Sequence, residues 1–247
     1  MTKIILSGCN GHMGKVITSI VAGRDDSEIV AGVDLNTASG AGFPVYSNIN
    51  EVKENADCVI DFSHFSVLDS ILEFASKNPS VALVLCTTGY SPEQVEKVKK
   101  ASETSPVFYS RNMSLGINLL IELTKKAAAV LGNDFDIEII EKHHNQKLDA
   151  PSGTALMIAD AIANDDTVYT YDRHSVRKKR DKNEIGISAV RGGTIVGEHE
   201  VIFAGNNEVI TLSHSAQSKD LFAAGAVNAA VFMTNKPSGL YDMSAMV

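Results

Sequence analysis

At 247 residues, 44% hydrophobic and 21% charged, the chain reads as a soluble globular protein of one large or two small domains, without repeats or low-complexity tracts. A formal charge of −8 argues against an extended nucleic-acid surface, and the one basic run, 177–182 (RKKRDK), reads as a solvated loop or helix face. The apolar run of MTKIILSG is too short for a secretory signal, no later run approaches the roughly 20 residues of a membrane helix, and Cys9, Cys58 and Cys86 lack C-x-x-C spacing, so a cytoplasmic protein with reduced thiols is expected, with neither membrane nor nucleic-acid partners.

From the amino end, strand-like apolar runs alternate with amphipathic segments: KIILSG (3–8), HMGKVITSIVAG (12–23), EIVAGVDL (28–35), DCVIDFS (57–63), SVLDSILEFASK (66–77), VALVLCTTG (81–89), PEQVEKVKKASE (92–103) and PVFYSR (106–111). Such alternation is the βαβ signature of a parallel sheet. After Asn112 the character changes. Residues 116–131 predict one long helix, 135–144 a strand and 153–163 a helix, followed by three strand candidates at 184–190, 194–205 and 208–216. The short turns Gly192-Gly193 and Asn206-Asn207 suggest mostly antiparallel pairing in a second, different domain. Residues 219–233 are helical again, and periodicity leaves open on which domain they pack. The crossings near Asn112 and Lys219 would be hinges.

Between the first strand and the first helix, Gly8, Gly11 and Gly14 permit a tight turn at which a pyrophosphate can approach the backbone and the positive end of the helix dipole. The pattern departs from G-x-G-x-x-G because Cys9 stands where the first glycine would be. Context supports dinucleotide binding: Asp34 ends the next strand twenty residues past Gly14, where a carboxylate accepts hydrogen bonds from an adenosine ribose. Thr87, Thr88 and Gly89 end another strand, on the carboxyl-end edge where open α/β sheets bind ligands.

The stretch 141–155 (EKHHNQKLDAPSGTA) sets two histidines and a lysine ahead of a helix start. Side chains of adjacent residues diverge on a strand, so His143 and His144 should have different jobs. Lys147 brings a cation, and the backbone of 152–155 offers N–H donors to a carboxylate. A metal held by Glu141, His143 and His144 is the rival reading. The spacing matches no zinc module, and Lys147 would oppose a cation.

The segments GCNGHMG (8–14), CTTG (86–89), SRNMSLGINLL (110–120), EKHHNQKLDAPSGTA (141–155), RGGTIVGEHEV (191–201) and SGLYDM (238–243) together resemble the 4-hydroxy-tetrahydrodipicolinate reductase (dihydrodipicolinate reductase) family of bacterial lysine biosynthesis, over nearly the whole chain. The resemblance implies an α/β enzyme with a Rossmann-like parallel-sheet dinucleotide-binding domain, residues 1–112 completed by 219–247, and an α+β substrate and oligomerisation domain with a mostly antiparallel or mixed sheet, residues 113–218, that mediates homotetramers. It makes His143 the proton donor and Lys147 the second catalytic group. His144, Gly153 and Thr154 would bind the carboxylates of a small dicarboxylate substrate. NADH or NADPH would sit on Gly8, Cys9, Asn10, Gly11, His12, Met13, Asp34, Thr87, Thr88, Gly89, Asn112 and Met113.

One departure bears on the cofactor. Many relatives place an arginine beside the ribose-binding acid, whereas Asp34 is followed here by Leu35 and Asn36. NADH is therefore expected to serve at least as well as NADPH, with His12 and Lys15 leaving dual use open. Two rivals remain at this point: another nicotinamide-linked reductase of amino-acid metabolism, and a dinucleotide-sensing regulator without turnover.

Overall fold

The computed structural model describes residues 1–38 and 42–247, which form two compact units. The first comprises Met1–Leu115 and Asp220–Met246, the second Gly116–Lys219.

Strands β1 (Thr2–Ser7), β2 (Ser27–Val33), β3 (Val45–Tyr46), β4 (Cys58–Asp61), β5 (Ala82–Leu85), β6 (Pro106–Tyr109) and β12 (Gly239–Tyr241) build the sheet of the first unit in the order β12-β6-β5-β4-β1-β2-β3. Every pairing in it is parallel. The first strand is a continuous apolar run rather than an alternating one because both of its faces are covered. Ile4 and Leu6 enter a core with Ile17 of α1 (His12–Ala22) and with Ala226, Val227 and Ala230 of α6 (Asp220–Met233). Ile5 enters a second core with Leu68 and Ile71 of α2 (Leu68–Lys77) and Val98 of α3 (Pro92–Ser102). Each fully buried aliphatic side chain of this kind contributes roughly 1.5–3 kcal/mol.

Helix α3 starts where its sequence announces it. Ser91 Oγ accepts from Gln94 N at 3.2 Å, Gln94 Oε1 accepts from Ser91 N at 3.0 Å, and Pro92 occupies the first turn. The last helix, α6, belongs to the first unit, and at Gly225 it runs so close to the chain after β6 that a Cβ would fall 1.8 Å from the Met113 carbonyl oxygen. The edge strands β3 and β12 escaped sequence reading because two or three residues carry no period.

The second unit holds strands β7 (Asp136–His143), β8 (Val168–Thr170), β9 (Glu184–Arg191), β10 (Gly197–Ala204) and β11 (Val209–Ala216) in the order β11-β10-β7-β9-β8. Ile139, Ile185, Ile187, Val201 and Phe203 pack against Ile117 and Leu120 of α4 (Leu115–Leu131) and against Ala155, Ile158 and Ala159 of α5 (Gly153–Asp160). The sheet is mixed. The Asn206-Asn207 turn joins an antiparallel hairpin, β10 with β11, as its sequence suggests. The Gly192-Gly193 turn does not: β7 lies between β9 and β10, parallel to the first and antiparallel to the second. A tight turn reports that the chain reverses, and a long-range strand can still claim the place between.

The basic run 177–182 is exposed as read except at one residue, Arg180. Arg180 is largely buried, donating to Glu138 Oε1 (2.7 Å) and to the carbonyl oxygens of Ile137 and Glu184 (both 2.6 Å). Arg173 pairs with the same buried Glu184. These arginines tie the loop before β9 to the amino ends of β7 and β9.

Candidate active site

In the first unit the carboxyl ends of five strands align: Ser7 pairs with Val33 and Asp61, Asp61 with Leu85, and Leu85 with Tyr109. The chain order reverses at β1, which has β4 on one side and β2 on the other, and loops leaving such a switch point form a crevice. Gly8 adopts φ +81°, and a Cβ there would meet the Phe62 carbonyl oxygen at 2.6 Å. A Cβ on Gly14 would stand 2.2 Å from the Gly8 carbonyl oxygen, so a side chain at either position would open the turn. Asp34 braces the same turn, accepting from Asn10 N at 3.0 Å through Oδ2 and from Asn36 N at 3.1 Å through Oδ1. Each carboxylate oxygen keeps a further lone pair for a ribose hydroxyl.

A cavity of about 510 Å³ is bordered by Gly8, Gly11, Asp34, Leu35, Ser63 and His64, among others. Of the twelve residues expected at the cofactor, the structure brings Gly8, Gly11 and Asp34 to its wall. Asn10, His12 and Met13 lie on the same turn or the helix start, with His12 exposed. Cys9 is different: only its backbone belongs to the turn, because its thiol is buried beneath Gly32, where burial and then Asp34 push it up to about 11. Asn112 and Met113 are buried on the loop after β6. Thr88 and Gly89 are exposed, whereas Thr87 points inward and donates to Asp61 Oδ2 at 2.7 Å.

Asp61 was missed by sequence reasoning. It is fully buried, accepts from the backbone N–H (3.2 Å) and hydroxyl of Ser63 as well as from Thr87, and so joins the loops after β4 and β5. Its signal was an acid ending an apolar strand, where a buried carboxylate needs several donors.

The second unit carries the histidine block. His143 ends β7 almost buried, while His144 just beyond is partly exposed. His143 Nδ1 lies 2.6 Å from Glu141 Oε2, and Glu141 is wholly buried. Arg191 closes on the same carboxylate with both terminal nitrogens, at 2.8 and 2.7 Å, and Ser152 N donates to it at 3.0 Å. Burial by itself would raise the Glu141 carboxyl, yet the hydrogen bonds from Arg191, His143 and Ser152 hold it below its usual value. His143 is lowered as well, but by burial, which outweighs the pull of Glu141, and the positive charges of Lys147 and Arg191 add to the lowering.

His199 of β10 meets the His143 ring edge to face at 5.2 Å and lies 3.1 Å by Nε2 from Ser152 Oγ. Burial pushes it down to about 4, so it is neutral at pH 7. Ser152 caps α5, accepting from Ala155 N at 3.1 Å, and the first residues of that helix are Gly153 and Thr154. Gly153 is exposed, with open space where a Cβ would be. Lys147 pairs with Asp149 at 2.8 Å, and that contact, with help from the Gly153 N–H, holds the Asp149 carboxyl below the usual range. Lysine, helix start and buried imidazole therefore flank one short loop, an arrangement suited to binding an anion beside a proton-transfer group. The N–H donors expected at 152–155 include Ser152 N, which is taken up by Glu141, whereas Arg191 and His199, which come from other strands, and the role of Glu141 as their partner carry no local sequence signal.

Two family profiles cover the chain: "Dihydrodipicolinate reductase, N-terminus" matches residues 2–113 and "Dihydrodipicolinate reductase, C-terminus" residues 116–247. The chain is 54% identical over 250 residues to the 4-hydroxy-tetrahydrodipicolinate reductase of Caldanaerobacter subterraneus subsp. tengcongensis, covering 100% of this chain and 98% of that one. It is 51% identical, at the same coverage, to the enzyme of that name from Clostridium novyi. Among solved structures it is similar to the dipicolinate-bound dihydrodipicolinate reductase of a Paenisporosarcina species, with a TM-score of 0.82 and 25% identity over the whole of both chains.

Proposed function

The chain belongs to the dihydrodipicolinate reductase family, and from that premise we infer how its residues divide the work. It reduces 4-hydroxy-tetrahydrodipicolinate, with loss of water, to tetrahydrodipicolinate in the diaminopimelate and lysine pathway, using a pyridine nucleotide. Residues 1–112 with 219–247 are the dinucleotide-binding part and 113–218 the part that binds substrate.

The cleft of the first unit fits the adenosine end of such a cofactor. A side chain at Gly8 or Gly14 would fill the turn, and Asp34 faces a cavity of about 510 Å³. Gly8 to Met13, Asp34 and the Thr87–Gly89 edge, with Asn112 and Met113, are the residues proposed to hold it. When bound, the reduced nicotinamide supplies a hydride. The chain's own residues supply the rest. Lys147, His144 and the start of α5 at Gly153 and Thr154 hold the two carboxylates, and His143 supplies the proton that balances the hydride. The observation that carries this reading is the buried His143, braced by Glu141 at the base of the loop that presents Lys147 and the α5 N-terminus.

Asp34 would repel a 2′-phosphate, and Leu35, 93% exposed, offers it no charge. NADH is therefore expected to be used at least as well as NADPH. Freshly formed condensation product of aspartate semialdehyde and pyruvate, added to protein with either nucleotide, tests both points. No oxidation of either would refute the activity, and a kcat/KM ten times higher with NADPH would refute the reading of the pocket. Leu35→Arg should move preference toward NADPH by roughly tenfold, the lower end of a charge-assisted hydrogen bond.

Reduced Cys9, Cys58 and Cys86 accord with cytoplasmic residence. Among the described residues no helix is long and apolar enough to cross a membrane. A homotetramer is proposed through the outer face of the five-stranded sheet, where Val190 and Val209 are exposed. A monomeric mass in solution would remove it.

A further inference from the structure

We propose that Glu141 and Arg191 form a positioning pair for proton transfer: Glu141 fixes the His143 ring through Nδ1, so that Nε2 is the atom that gives up a proton, and Arg191 fixes Glu141. The proposal rests on the assignment of His143 as proton donor.

Residues 141 and 143 are two apart on β7, so their side chains leave the same face of the strand. An ionised carboxylate only accepts hydrogen bonds, and the 2.6 Å contact to Glu141 Oε2 therefore requires the hydrogen to be on His143 Nδ1. That leaves Nε2 to carry or lack the second proton. Nε2 lies beside Gly197 of β10, where a Cβ would press on it at 3.1 Å; glycine keeps that nitrogen open.

Arg191 stands directly across from His143 on β9 and reaches both oxygens of Glu141. With Nδ1 of His143 and the Ser152 N–H, the carboxylate accepts four hydrogen bonds, which is its capacity. The same Nη2 of Arg191 donates to the Asp149 carbonyl oxygen at 2.6 Å. One ion pair, buried at its carboxylate end, thus ties together the imidazole, the loop with Lys147 and the start of α5. A planar bidentate fork does this, and a lysine would not.

The pair also bears on charge. His143 is faced by Glu141 from its own strand, Arg191 from β9, His199 from β10 and Lys147 from the following loop. Glu141 alone favours the imidazolium. Burial outweighs it, and the positive charges of Lys147 and then Arg191 add to the lowering, which leaves the ring less basic than a free histidine. A dianionic substrate would supply the negative charge that the resting site lacks, so protonation of His143 would accompany binding.

Three enzymes and a rescue variant decide the matter: wild type, Glu141→Gln and Arg191→Met, with Arg191→Lys as the rescue, each studied by histidine ring ¹⁵N NMR and by kcat against pH. In the wild type, the neutral His143 is expected to be the Nδ1–H tautomer. Glu141→Gln should mix the tautomers and lower kcat by roughly tenfold or more, with unchanged affinity for NADH. Arg191→Met should keep the tautomer but move the His143 limb of the kcat profile upward, because the freed carboxylate then favours imidazolium more strongly. Arg191→Lys should restore part of the shift. A merely structural role would lower stability without moving that limb upward. An Nε2–H tautomer in the wild type overturns the proposal even if both variants fail to fold. Folded variants with wild-type kcat and wild-type limbs overturn it as well. Failure of the proton-donor assignment has a separate sign, a His143→Gln enzyme with normal kcat.

Discussion

Replacing His143 by glutamine is expected to lower kcat by roughly 10²–10⁴-fold while fold and cofactor affinity survive. Glutamine is close in size and polar, so it can still reach Glu141, but it has no proton to give at neutral pH. His143 lies in the second unit, whereas the Gly8–Gly14 turn and Asp34 lie in the first, so nucleotide binding should be untouched. Steady-state kinetics at saturating cofactor, with NADH affinity measured separately, check this. A His143→Gln enzyme with wild-type kcat would move the donor to Lys147 or water. Because burial lowers His143, the free enzyme should be largely unprotonated there at pH 7, and kcat/KM should fall as pH rises above the His143 value.

Lys147→Ala should appear mainly in KM. A charge-assisted hydrogen bond to a substrate carboxylate accounts for about 1.5–3 kcal/mol, or roughly 10–150-fold in affinity. The structure favours the lower half of that range, because Lys147 already has a partner in Asp149 at 2.8 Å, and a substrate must compete with it. Removing the lysine also leaves Asp149 as an uncompensated charge beside an incoming dianion. Lys147→Ala combined with Asp149→Ala separates the two effects: the double variant should recover part of the lost affinity. If the double variant is as weak as the single, repulsion by Asp149 plays no part; if Lys147→Ala leaves KM unchanged, the lysine does not bind substrate.

What could be read before any coordinates follows from the range of each interaction. The first sheet was legible because each of its main strands carries its own signal: apolar residues at successive positions, covered on both faces, then a glycine or acid at the carboxyl end. The Gly8–Gly14 turn and Asp34 were legible for the same local reason. The five-stranded sheet was less so, because the parallel pairing of β7 with β9 joins Ile137 to Ile185 across a helix, a loop and β8, and no turn residue encodes it. Arg180 looked like one more charge in a basic run until the chain folded it against Glu138 and Glu184. At the candidate site the histidines and Lys147 stood out, since imidazoles are rare and their loop is short. Arg191, which completes Glu141 from fifty residues away, did not. Thr87 showed itself as part of a strand-end motif, but its partner Asp61 belongs to another strand. The residues that meet a ligand carry visible chemistry, whereas those that hold them in place are ordinary residues made special by burial.

The reaction itself is tested most directly by following the hydrogen. Freshly prepared 4-hydroxy-tetrahydrodipicolinate, incubated in ordinary water with the protein and NADH doubly deuterated at nicotinamide C4, should yield tetrahydrodipicolinate carrying a single cofactor-derived deuterium by mass spectrometry, and the yield should collapse in His143→Gln. Unlabelled product, or no product from a folded protein that binds NADH, would contradict hydride transfer by this chain.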